Sequence, residues 1–199
     1  TCALPISALD DINISGLLKS HIPALFDRLT RLQTAFFDRS HESGDYLRLF
    51  AACGPHLRSI RFDSSCSARV IQELFARCPN LLTLAFAQQY ASDLGRNPLP
   101  ALTPRDSVRG LSARTFHARD LLTLLRACPQ VELLRCGHGD VDERHFALCP
   151  KLWRLDLENP RDISFDRLRH LPRLETLKLD LDEAPDTLLL EPSTPHTFE

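Results

Sequence analysis

Five side chains able to ligate a cation, Cys136, His138, Asp140, His145 and Cys149, fall within fourteen residues of this 199-residue chain. Thiolate, imidazole and carboxylate are the groups that zinc takes, but zinc modules bring their ligands in short pairs, C-x2-C or H-x3-5-H, and neither pair occurs here. Cysteine is also a small apolar residue that packs well in cores. Cys149 is followed by proline and then, two residues on, by an aliphatic residue, as are Cys78 and Cys128. A shared position in a recurring pattern assigns these thiols to the core, so no metal and no cofactor are expected. Nucleophilic chemistry finds no frame either, because there is no G-x-S-x-G elbow, no phosphate-cradling P-loop and no H-E-x-x-H. Among the eight histidines, His56 lies near a strand start and His21, His145 and His170 lie in or beside helices, where surface or capping roles suffice. No catalytic residues are expected, and the protein is read as a non-enzyme.

The elements that carry these residues follow from one repeat. Cys78-Pro79-Asn80-Leu81-Leu82-Thr83-Leu84, Cys149-Pro150-Lys151-Leu152-Trp153-Arg154-Leu155 and Leu171-Pro172-Arg173-Leu174-Glu175-Thr176-Leu177 share apolar residues at offsets 0 and 3 from Leu81, Leu152 and Leu174, with a third at offset 5. The template also fits Leu9, Leu32, Leu57, Val108 and Val131, and the successive spacings of the eight anchors are 23, 25, 24, 27, 23, 21 and 22. A period of about 20–29 residues with this pattern is the leucine-rich-repeat signature. Offsets 3 and 5 lie on one face of a short strand, because strand side chains alternate with period two.

Between the strands, apolar residues recur at helical spacing. Val70, Ile71, Leu74 and Phe75 predict a helix over Ala68–Arg77, and Leu121, Leu122, Leu124 and Leu125 one over Asp120–Ala127. Further helices are expected over Tyr46–Ala52, Val141–Leu148 and Phe165–His170, with Asp45, Asp140 and Ser164 as N-caps and Glu143 completing a capping box with Asp140. No such unit buries its apolar face alone, so the units must stack. The predicted fold is an α/β right-handed leucine-rich-repeat solenoid, a horseshoe arc with parallel strands on the concave face and helices on the convex face. It occupies residues 1–184 in about eight repeats. Gly95, Pro98, Pro100 and Pro104 predict an irregular, mobile loop over 87–105 in place of the fourth helix, and residues 185–199 read as a partial strand and loose tail. No polar capping repeat is recognisable at either end and the chain has no methionine, so it is expected to be a processed or partial piece flanked by further repeats or another domain.

Offsets 2, 4 and 6 point away from the core, which makes the concave surface readable. It should carry Asp11, Asn13, Phe36, Asp38, Arg61, Asp63, Arg114, Leu133, Arg135, Arg154, Asp156, Glu158, Lys178 and Asp180. Arginine outnumbers lysine 21 to 3, and its planar fork suits carboxylate recognition. Mixed signs on adjacent strands can pair across the ladder, or they can face a protein partner. Phe36 and Leu133 are the apolar clues, since solvent-facing apolar side chains cost hydration unless something covers them.

Composition narrows the partners. A net charge of −2 gives no general attraction to polyphosphate, and no apolar run reaches the ~18 residues of a membrane span, so neither nucleic acid nor membrane is expected. Seven cysteines, an odd number in a domain large enough to need no staples, favour reduced thiols and a cytoplasmic or nuclear setting.

At its Cys-Pro-x-Leu-x-x-Leu junctions the sequence resembles the cysteine-containing, ribonuclease-inhibitor-like leucine-rich repeats of F-box proteins, over nearly the whole chain. In that family the cysteine ends the helix and packs inward, and Cys53, Cys78, Cys128 and Cys149 occupy that phase. The sequence departs from the pattern at offset 8, where the expected Asn or Cys is replaced by Ser40, Ser65, Gln89, Phe116, Gly139, Pro160 and Asp182, and it holds no F-box segment. The resemblance implies the substrate-recognition region of a ubiquitin-ligase adaptor, touching ligase components through a flanking segment. A repeat domain of another scaffold or immune-type receptor is the alternative. The third reading is an enzyme using the loop near Gly95 as a lid.

Overall fold

The computed structural model describes residues 11–13, 31–37, 43–63, 66–86, 98–113, 116–137, 141–158, 168 and 171–180. Within them eight short strands form one sheet, every neighbouring pair parallel and the spatial order identical to the chain order. They are β1 (Asp11–Asn13), β2 (Thr34–Phe37), β3 (Ser59–Phe62), β4 (Thr83–Phe86), β5 (Gly110–Ala113), β6 (Leu133–Cys136), β7 (Arg154–Glu158) and β8 (Thr176–Asp180). The helices are α1 (Ser43–Cys53), continued by a 3-10 turn at Gly54–His56, α2 (Ala68–Arg77), α3 (Ala118–Ala127) and the single-turn α4 (Glu143–Phe146). Strand alternating with helix, each strand beside its predecessor, is a leucine-rich-repeat solenoid.

The register explains why the aliphatic triplets recur. Ile60, Leu84, Leu111, Leu134 and Leu155 stand opposite one another at offset 3 and are 0–1% exposed. At offset 5, Phe37, Phe62 and Phe86 stack nearly parallel, with ring centroids 5.5 and 5.4 Å apart, and Tyr46 of α1 meets Phe37 edge-on at 4.6 Å. The fifth unit carries only Ala113 at that offset, and Phe116 fills the vacated volume, 4.8 Å from the Phe86 ring. That is the use to which this chain puts an offset-8 position.

The missing Asn or Cys ladder is matched by a backbone one. The offset-1 carbonyl of each described unit accepts two amides from the next: Gln33 from Arg58 and Ser59, Arg58 from Leu82 and Thr83, and so on through Trp153, which accepts from Glu175 and Thr176. Cys53, Cys78 and Cys128 end their helices, Cys149 follows α4 by three residues, and all four are fully buried. Burial pushes these thiols up, Cys53 to about 11 and the other three to about 12, which leaves them unreactive. The close stacking also needs Gly54, where a Cβ would lie 2.5 Å from the carbonyl oxygen of Arg77 at the end of α2.

Two local expectations are corrected. The first helix begins at Ser43, so Asp45 lies within its first turn, where its charge still suits the helix dipole, and not at the N-cap. The helix expected over Val141–Leu148 shortens to α4, and Asp142 and His145 pair at its start, while Asp140 and the Glu143 side chain of the expected capping box lie outside what the structure describes. Asp142 Oδ1 accepts the amide of Arg144 at 2.9 Å, while the Asp142 amide donates to His145 Nδ1 at 3.1 Å. Of the expected loop 87–105, residues 98–105 are described and form neither helix nor strand. The remainder of that loop, Asp140, Ser164, most of the expected helix at 165–170 and the tail 185–199 lie outside the described residues.

Candidate functional site

The sheet face opposite the core presents two registered rows of side chains. Offset 2 runs Thr34, Ser59, Thr83, Gly110, Leu133, Arg154 and Thr176; offset 4 runs Phe36, Arg61, Ala85, Ser112, Arg135, Asp156 and Lys178, with Asn13 beside Phe36 and Asp11 beside Thr34. Glu158 stands beside Asp180 one step further along. The structure therefore brings the expected residues of β6, β7 and β8 into one cluster and those of β2 and β3 into another. Asp38 and Arg114 lie outside the described residues.

Between the clusters lies a stretch that the list of expected residues passed over. Thr83, Ala85, Gly110 and Ser112 are all small, so the face is shallow across β4 and β5. Thr83 Oγ1 donates to Ser59 Oγ at 2.7 Å, tying this floor to β3. The signal was in the sequence, since the same offsets that selected charged residues selected these.

The electrostatics of the clusters differ from simple alternation across the ladder. Arg154 grips Asp156 on its own strand through two hydrogen bonds, Nε to Oδ1 at 3.0 Å and a terminal nitrogen to Oδ2 at 3.1 Å. Asp156 is only 8% exposed. Arg135 crosses to the neighbouring strand on a diagonal, donating from Nε to Glu158 Oε1 at 2.7 Å, instead of pairing with Asp156 directly opposite. At the other cluster Arg61 donates to Asp63 at 2.9 Å, and its guanidinium lies over the Phe36 ring, 5.3 Å from the centroid. The cover expected for Phe36 is therefore supplied by a neighbouring strand, as a cation–π contact. Leu133 is half-buried between Gly110 and Arg154.

The described members of the Cys136–Cys149 run serve other contacts. His145 is fully buried; its Nδ1 faces Asp142 and its Nε2 lies 2.9 Å from the Ala118 carbonyl oxygen, so the ring joins α4 to the start of α3. The Arg144 guanidinium, and then His145, hold the Asp142 carboxyl well below the usual carboxylate range. Cys136 points into the core and burial pushes its thiol up to about 12, while His138 and Asp140 lie outside the described residues. Among the described residues no three His, Cys, Asp or Glu side chains converge as a metal site, and no helix is long and apolar enough to cross a membrane.

One further surface had only a weak sequence signal. Trp153, at offset 1 beside the strand ends, is 38% exposed and lines a groove of about 590 Å³ with Glu132, Lys151, Arg173, Leu174 and Glu175. Its charges are mixed, which gives the groove no preferred ligand sign.

No family model and no curated protein matches this sequence. Among solved structures the chain is similar to the leucine-rich repeat-containing protein LegL7 from Legionella pneumophila, with 13% identity and a TM-score of 0.46 over 88% of this chain. The match spans 66% of the LegL7 chain, just under two thirds of its length.

Proposed function

We propose that this protein is a non-catalytic recognition module that reads a protein partner with the concave face of its sheet. The observation that carries the reading is the juxtaposition, on one sheet face, of the shallow floor of β4 and β5 with the guanidinium and carboxylate groups of β6 to β8. A floor of small side chains lets a partner's backbone approach closely, and the adjacent charged wall supplies orientation and discrimination. Arg135 and Arg154 are already held by Glu158 and Asp156, so they are preorganised and give up little rotamer freedom on binding.

The test swaps charges without breaking pairs. Arg135→Glu with Glu158→Arg, and Arg154→Asp with Asp156→Arg, keep each internal ion pair and invert the pattern offered outward. Affinity capture by the swapped chain should lose the partners held by the native chain while the melting temperature stays nearly constant. Undiminished capture of the same partners would remove the concave wall from the reading.

At the finer level the module is the substrate-recognition repeat region of an F-box ubiquitin-ligase adaptor, acting in the cytoplasm or nucleus. The support is the resemblance at the Cys-Pro-x-Leu-x-x-Leu junctions. Co-purification of the parent protein with a cullin-ligase adaptor tests it; a nucleotide-binding domain or signal peptide in the parent would instead favour a receptor.

A further inference from the structure

The strand β8 breaks the burial rule that β2 to β7 obey. Leu177 occupies offset 3, where its counterparts from Ile60 to Leu155 are 0–1% exposed, yet it is 37% exposed. Leu174 and Leu179 are only half-buried where Leu152 and Leu157 are 1% and 2% exposed. β8 also stands at the end of the strand order, and among the described residues nothing pairs with its outer edge. An apolar core face and an open row of backbone donors and acceptors together form a template for another strand.

We propose that this edge joins two copies of the chain, β8 against β8, in antiparallel register about Leu179. Two identical edges can meet only through a two-fold axis, which makes the strands antiparallel. Charge then selects the register. Centred on Leu179, Lys178 of each copy stands directly opposite the partner's Asp180, so two opposite-charge pairs form on the concave side. Centred on Lys178, the two ammonium groups would face each other, which is destabilising in a cross-strand pair. In the favoured register the two Leu179 side chains meet on the core side, and Leu177 lies within diagonal reach of its neighbours across the seam. The sheet then runs continuously through both copies. This inference is independent of the concave-face reading, since a copy that fails to dimerise can still capture a partner.

Sedimentation of the full chain should give a mass of about twice 22.5 kDa at high concentration, falling toward 22.5 kDa on dilution. Lys178→Asp alone and Asp180→Lys alone each place like charges opposite one another twice, and each should remain monomeric. An equimolar mixture of these two variants should recover the dimer, because each reversed residue then faces an opposite charge in the other chain. Both residues are exposed, so the mixture also reports that the variants are folded. A monomeric native chain at every concentration, capping of the edge by residues of the same chain, or a dimer indifferent to the reversals would each overturn the proposal.

Discussion

The units containing β3 and β4 lie side by side in one sheet but are backed by unlike means. After β3 comes α2, whose Val70, Ile71, Leu74 and Phe75 are all 0–1% exposed and whose backbone bonds are met within the helix, with Ser67 Oγ accepting the Val70 amide at the N-cap. After β4 the described residues 98–105 form a strap that is neither helix nor strand. Its Leu99 amide donates to Asp120 Oδ1 at 3.0 Å, its Arg105 amide to the Ala127 carbonyl at 2.7 Å, and the Arg105 guanidinium to the Ala76 carbonyl at 3.1 Å. A helix carries its own polar satisfaction and needs only an apolar stripe, whereas a strap depends on polar groups, backbone or side chain, that distant segments supply. The strap thus spans from the end of α2 to α3, bridging the place a helix would fill.

This contrast can be broken from either side, and the largest expected effect is on the helix. Leu74→Ala empties a fully buried site between layers and should cost about 2–5 kcal/mol in chemical denaturation. A loss below that range would mean the helical layer collapses around the gap. Asp120→Ala leaves the buried Leu99 amide without its acceptor and should cost about 1–3 kcal/mol, with faster proteolysis near residue 100. Asp120→Asn keeps a carbonyl oxygen for that amide. Among the described residues Asp120 Oδ2 has no hydrogen-bond partner, so the Asn variant should lose less than the Ala variant; equal losses would show that the hydrogen bond does not hold the strap. The smallest effect is expected from Arg105→Ala, about 0.5–1.5 kcal/mol, because among the described residues its guanidinium bonds to Ala76 and its buried Nε has no partner. A melting shift as large as that of Leu74→Ala would mean that the strap, not the helix, governs this part of the arc.

The same two regions mark how far the sequence could be read. Helical periodicity located α2 at Ala68–Arg77 and the expected bounds of α3 within two residues, because burial of a regular stripe is encoded every three to four positions. The strap has no period to read. Asp120 falls among apolar residues of α3 and gives no hint that it serves an amide 21 residues upstream. On the concave face, the alternation of offsets located Arg61, Arg135, Arg154 and Glu158 on the correct side of the sheet. Their pairing was not legible, since offsets fix direction but not rotamer: Arg154 turned to its own strand, Arg135 to a diagonal neighbour and Arg61 over Phe36.

The sequence by itself determined the repeat, the strand register and the apolar interior, because a period near two dozen residues forces identical offsets into identical positions along a stacked sheet. Only the tertiary structure decided which charges were already spent on one another, where a strap stands in place of a helix, and that β8 keeps Leu177 in contact with solvent. Those outcomes depend on distances between residues twenty or more positions apart, where small differences in side-chain reach select one partner over another.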